Sequence, residues 1–183
     1  MTRILVAGIG NIFNGDDAFG VEVARRLSAC ELPQDVRVVD FGVRGIDLTY
    51  ALLDGCEAAV LVDAAQRGEE PGALSLIEPT EGTGEPSPED LMLSPHELEP
   101  AKVLRLVAGL GGACRRILVV ACEPLTFGGV EGVMGLSEPV AAAIDPAIRM
   151  IQDLLGELGA ETPKLMRERQ PAAMRSSEEG EVS

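Results

Sequence analysis

Followed for its alternation of apolar and polar positions, the chain is a series of compact apolar runs separated by amphipathic ones. Arg3 to Gly8 reads as a strand, and Ala18 to Leu27 follows with apolar residues at helical spacing. Val36 to Phe41 is a second strand, and "GIDLTYALL", from about Gly45, a second helix. The third strand, "AAVLVDAA", has no polar alternation, which predicts burial on both faces as in a parallel or mixed sheet. "GALSLIEP" makes a fourth strand after a Gly-Pro turn. Residues 80 to 95, rich in Gly, Pro, Ser and acids, form a long loop of the kind that compact domains keep for functional or mobile segments. "PAKVLRLVAGLGG" is a helix with Ala101, Leu104, Val107 and Leu110 on one face and Gly111-Gly112 as its stop. "RRILVVACEP" is the fifth strand.

A last helix opens with Ser137 as cap and Pro139 in its first turn. Pro146 either kinks it or leaves Asp145 to cap a second segment running to about Leu158. Residues 160–183 are polar, without apolar period, and read as a disordered tail, which leaves a single domain over residues 1–159. Strand–helix alternation with short connections predicts an α/β fold: a three-layer α/β/α sandwich around a mostly parallel, twisted five-stranded sheet. In such sheets ligands bind beyond the carboxyl ends of the strands. The chemically distinctive stretches fall there: Gly8 to Asp17, Asp40 to Gly45, Asp63, and Cys122-Glu123.

Composition narrows the partners. With 46% hydrophobic and 25% charged residues the 183-residue chain is ordinary for a globular domain. Its net charge is −15, and residues 66–100 hold nine acids against one base, so nucleic acid would be repelled. No apolar run approaches the roughly 20 residues of a membrane span. The first residues enter a strand directly, without a signal-peptide pattern. Cys30, Cys56, Cys114 and Cys122 have neither CxxC nor zinc-finger spacing and read as buried or free thiols of a reducing cytoplasm.

The glycines of "GIGNIFNGDD" invite comparison with a phosphate loop. The dinucleotide fingerprint GxGxxG fails, because Phe13 stands at its third glycine and Asp16 and Asp17 follow, two charges that would repel a pyrophosphate. No GK[ST] of a P-loop is present either. Carboxylates are the better lead. Asp17 stands at the start of a helix, Asp63 directly ends a buried strand, and His96, the single histidine, follows the long acidic loop. Capping and turn formation account for Asp at such positions equally well. Two carboxylates and an imidazole from three loops at one sheet edge would suit a divalent transition metal, bound weakly and with open positions. Ser94 is too near His96 in sequence for a persuasive triad, and Cys122, ending an apolar strand, reads as core.

Five segments, "ILVAGIGNIFNGDDAFG", "DFGVRG", "VLVDAA", "SPHEL" and "MGLSEPVAAAIDPA", occur in an order and spacing that resembles the nickel-iron hydrogenase maturation proteases, over residues 3 to about 155. The resemblance implies a cytoplasmic endopeptidase that removes the C-terminal extension of a hydrogenase large-subunit precursor after nickel insertion. It also implies nickel carried by the substrate and contacted weakly or transiently by Asp17, Asp63 and His96, which are then both metal-contacting and catalytic residues. Asp16 neighbours the first of these without an assigned role. The substrate-handling loop of the family falls on Asp40, Gly42 and Gly45; Arg44 carries no role over. One substrate at a time requires only a monomer. Two other readings stand beside this one: a non-cleaving metal-dependent checkpoint or chaperone for the same precursor, and a nucleotide-binding α/β protein.

Overall fold

A computed structural model of the chain describes residues 4–79, 105, 107–111, 114–129 and 131–160. Five strands form one sheet: β1 (Ile4–Ile9), β2 (Val36–Gly42), β3 (Ala58–Ala64), β4 (Leu74–Ile77) and β5 (Arg116–Cys122). Their order is β2-β1-β3-β5-β4, all parallel except β4, which runs antiparallel to β5 at one edge. The expected mostly parallel sheet is therefore present. Strand ends differ slightly from the sequence reading: β1 runs on to Ile9 and β2 to Gly42, β4 is confined to Leu74–Ile77, and Arg3 lies outside the described residues.

Helices α1 (Phe19–Leu27), α2 (Gly45–Leu53) and α3 (Glu138–Ala160) cover the faces. The alternation of side chains along each strand separates two cores. Ile4, Val6, Val60, Val62, Leu118 and Val120 meet α1 and α3, whereas Leu5, Ala7, Ile9, Leu61 and Val119 meet α2 and Val107. β3 is buried at all seven positions because both of its faces are covered, as its unbroken apolar run predicts. Helix α1 applies Phe19, Val23 and Leu27, spaced by four, to the first core, while Glu22 on its outer side pairs with Arg25 and Arg26 at 3.3 and 3.1 Å. Among the described residues no helix is long and apolar enough to cross a membrane.

Helix α3 is one continuous element that contains Pro146 and reaches Ala160, not two segments divided at Asp145. The proline is tolerated because it is on the solvent side: Pro146 and Ala142, the residue four positions before it, are both exposed. The inward stripe Val140, Ile144, Ala147, Ile151 and Leu155 is uninterrupted. Of the predicted helix at 101–110, residues 105 and 107–109 are described and helical. The polar tail assigned to 160–183 lies, beyond Ala160, outside the described residues.

Candidate active site

In the strand order, the connection after β1 leads to β2 on one side, whereas the connection after β3 leads towards β4 and β5 on the other. The crevice between the carboxyl ends of β1 and β3 is the topological switch point, the usual ligand position in an open α/β sheet. Asp17 and Asp63 are delivered to this crevice, the first by the loop after β1 and the second by the penultimate residue of β3.

The loop after β1 is built by close packing. Gly8 lies inside β1, and its role is contact: a Cβ there would stand 2.4 Å from the Gly20 carbonyl oxygen and 2.5 Å from Ala24 Cβ. Gly20 in turn lets α1 touch the sheet, since a Cβ would meet the Val62 oxygen at 2.0 Å. Gly10 makes the turn itself, with φ +134° and the Asp17 carbonyl oxygen 1.7 Å from where a Cβ would be. Residues Gly15–Ala18 then form a single 3-10 turn leading into α1, so Asp17 sits in that turn and not in the α-helix proper.

Asp17 is half-buried and accepts the Asn11 backbone N–H on Oδ2 at 3.1 Å. The amide that a phosphate loop would offer to an anion is thus taken by the loop's own carboxylate. Burial pushes the Asp17 carboxyl up, against the lowering effect of the Asn11 amide and the Asn14 side chain. Asp63 is 7% exposed and accepts the Ala64 N–H at 2.9 Å. Burial first, and then the charge of Asp17, push its carboxyl up to about 7. Neither carboxylate has an ion-pair partner among the described residues. A pair of this kind stabilises either a shared proton or a cation between its oxygens. Two carboxylates are hard oxygen donors that attract divalent cations in general, and an imidazole beside them is what would turn the set towards a transition ion. Among the described residues no third His, Cys, Asp or Glu completes a cluster. His96, the third expected member, lies outside the described residues.

Asp16, left open by the sequence, has a structural task. It is fully buried, and its Oδ2 accepts the N–H groups of Leu125 and Thr126 at 2.8 and 3.0 Å and the Ser137 hydroxyl at 2.9 Å, while Oδ1 accepts the Ser137 N–H at 2.7 Å. Burial raises its carboxyl, but the bonds from Ser137, Thr126 and Leu125 outweigh it and hold it below the usual value. Asp16 therefore ties the first loop to the segment after β5 and places its charge at the start of α3, where the helix dipole favours it. The Ser137 hydroxyl, expected to cap α3, is given to this clamp, and its backbone oxygen accepts the first helical bond, from Ala141.

The loop after β2 lies beside the first. The Gly10 N–H donates to the Gly42 carbonyl at 3.1 Å, Gly42 has φ +54°, Asp40 is exposed and Gly45 starts α2. Arg44 stiffens this loop through its guanidinium, which donates to the carbonyls of Phe41 and Asp40 and faces the Asp47 carboxylate at 3.6 Å. Cys122 is fully buried, and burial followed by the charges of Asp16 and Glu123 pushes its thiol up to about 12, as suits a core residue. Glu123, also buried, accepts the Arg67 and Gly68 N–H groups and anchors the start of the β3–β4 connection. A rim of exposed apolar side chains follows the strand ends: Ile12 and Phe13 after β1, Val43 and Ile46 after β2, Leu125 and Met134 after β5. Such a rim on the face that carries the polar centre is suited to a protein partner.

Asn11, Asn14 and Gly20 were not singled out from the sequence. Asn11 and Asn14 look like ordinary turn residues, and Gly20 like a helix residue, until the fold puts a carboxylate and a strand against them.

A doubly wound α/β domain with two acids at its switch point, their loop amide already used and an apolar rim around them, has the layout of an enzyme that works on proteins through carboxylates. The chain belongs to the hydrogenase maturation protease family, whose sequence model matches residues 21–154. It is 33% identical over 156 residues to a putative hydrogenase maturation protease of Methanocaldococcus jannaschii, covering 85% of this chain and 96% of that one. The solved structure of the hydrogenase maturating endopeptidase HybD from E. coli superposes with a TM-score of 0.69 at 26% identity, over 86% of this chain and 94% of that one. A hydrogenase 2 maturation peptidase from a Thaumarchaeota archaeon gives 0.63 at 29% identity, over 85% and 99%. The fold expectation and the family resemblance thus agree with the comparisons, and the chain is a hydrogenase maturation endopeptidase.

Proposed function

We propose that this protease removes the C-terminal extension of a nickel-iron hydrogenase large-subunit precursor once nickel is in place, acting in the cytoplasm as a monomer. The observation that supports this best is the pairing of the buried Asp63 with the half-buried Asp17 at the switch point, with Asp63 held up to about 7. Two uncompensated carboxylates attract a divalent ion that a substrate brings with it, and release it when the product leaves. In this reading Asp17, Asp63 and His96 contact the substrate's nickel, and a precursor without nickel is not docked.

The hydrolytic step falls to the same acids. When bound, the substrate's nickel supplies Lewis acidity near the scissile bond. Asp17, oriented by the Asn11 amide, is the fixed member of the pair. Asp63 is poised near neutrality to take a proton from the attacking water and pass it to the departing amine. The loop with Asp40, Gly42 and Gly45 flanks the crevice and lines up the extended substrate segment. The apolar rim provides the docking area that a small polar centre lacks.

The test is processing of nickel-loaded and nickel-free precursor by the Asp63→Ala and His96→Ala proteins. Cleavage of the loaded precursor falls by roughly 100-fold or more in both, the range of a lost acid–base or metal-contacting group. Undiminished processing by both variants, or equal cleavage of the nickel-free precursor, refutes the assignment. Binding without a mass change by the unaltered protein would favour the checkpoint reading.

A further inference from the structure

At the opposite end of the sheet, two cysteines are brought together that are 58 residues apart in sequence. β3 and β5 are parallel neighbours in which Ala58 pairs with Arg116. Cys56 precedes Ala58 by two residues and Cys114 precedes Arg116 by two, so both thiols occupy the same level just before their strands. Adjacent strands are about 5 Å apart, inside the Cα separation that a disulfide spans. Both side chains belong to the core on the α2 side, Cys56 buried and Cys114 half-buried, and their sulfurs are 2.7 Å apart. Both are free thiols. Among the described residues Cys30 and Cys122 bond only to backbone oxygens, of Arg26 and Glu123.

We propose that Cys56 and Cys114 form a redox dithiol site that takes a low-molecular-weight disulfide, such as oxidised glutathione, as co-substrate and closes to an intramolecular disulfide. Cys114, the more accessible, is the attacking sulfur. The thiol hydrogen bond from Cys56, stronger than the effect of burial, holds Cys114 low, and the same bond together with burial holds Cys56 high. The Cys114 thiolate attacks one sulfur of the disulfide, whose S–S bond breaks, and the departing thiolate takes the Cys56 proton. The Cys56 sulfur then attacks the mixed disulfide at Cys114 and expels the second thiolate, which takes up the proton Cys114 had given to solvent. Two protein thiols are oxidised and one small disulfide is reduced to two thiols. The closed ring contains residues 57–113, and with them Asp63 and His96. The sulfurs lie at the amino ends of their strands, away from the carboxylates, so this site stands independently of the hydrolytic reading.

The full chain is equilibrated with a series of oxidised-to-reduced glutathione ratios, trapped with N-ethylmaleimide and analysed by intact mass and peptide mapping. The expected result is loss of two alkylatable thiols with no glutathione retained on either, and a linked pair of peptides containing Cys56 and Cys114, reversed by reductant. The Cys56→Ser protein retains one glutathione at Cys114, whereas in Cys114→Ser the buried Cys56 remains alkylatable after unfolding. Circular dichroism checks both variants, with Cys56→Ala replacing a serine variant that fails to fold. Glutathionylation of Cys30 while Cys56 and Cys114 stay reduced, or two mixed disulfides without a cross-link, overturns the proposal.

Discussion

Replacing Asp63 by Asn should stabilise the isolated protein, and more so at higher pH. In the folded protein Asp63 titrates near 7, against 3.8 for an unperturbed aspartate, because burial and the Asp17 charge oppose its ionisation. A raised carboxyl makes the folded state the tighter proton binder, so its contribution to stability is complete below 3.8 and is lost as pH rises through about 7. At about 1.36 kcal/mol per unit, the full loss is about 4 kcal/mol, of which about 2–3 kcal/mol falls between pH 5 and pH 8. Asparagine keeps an oxygen to accept the Ala64 N–H and nearly the same volume, but never ionises. Urea denaturation of both proteins at pH 5 and pH 8 isolates the effect, because titrating groups not coupled to Asp63 cancel in the difference between variant and parent, and Asp17 is already ionised in the parent's folded state across most of that range. The advantage of Asp63→Asn should grow by about 2–3 kcal/mol across that interval. A difference that stays flat, or shrinks, would show that Asp63 ionises freely and that the buried pair is not under the strain assigned to it.

Three further substitutions test the scaffold. Asp16→Asn places an N–H₂ group against at least one of four donors and should cost about 2–3 kcal/mol by urea denaturation, most visibly at neutral pH where the carboxylate is charged. Gly20→Ala forces a methyl group to within 2.0 Å of the Val62 oxygen and should lower the melting temperature by roughly 10 °C or leave the protein insoluble; an unchanged melting curve would refute the close-packing argument. Pro146→Ala returns an N–H to the exposed side of α3 and should raise stability by about 1–3 kcal/mol, with processing activity unchanged.

What the sequence disclosed is what local pattern carries. The unbroken apolar run of β3 announced a strand covered on both sides, and Asp63 at its end announced a polar group delivered to a sheet edge. Asp17 was visible for a similar reason, as an acid at the start of a helix where a phosphate loop would carry no negative charge. What stayed hidden depends on partners distant in the chain. Asp16 next to Asp17 looks identical in sequence, and only Leu125, Thr126 and Ser137, more than 100 residues on, separate the clamp from the working acid. Gly8 looked like part of a failed phosphate loop because no local signal says that Gly20 and Ala24 will press upon it. The two thiols became a pair only through the register of β3 against β5. Pro146 was ambiguous because its cost depends on which face of the helix meets water.

The Asp16 clamp also bears on biosynthesis. Its acceptor oxygens leave the ribosome early, but the last of their donors, Ser137, is made 121 residues later. At ordinary elongation speeds of about 5–20 residues per second, that is a delay on the order of ten seconds. Throughout it the loop that carries Asp17 has no lock, and a nascent chain with its first strands already paired still lacks a finished proteolytic centre. Competence thus waits for Ser137 and α3, whose docking draws the loop after β1 into place.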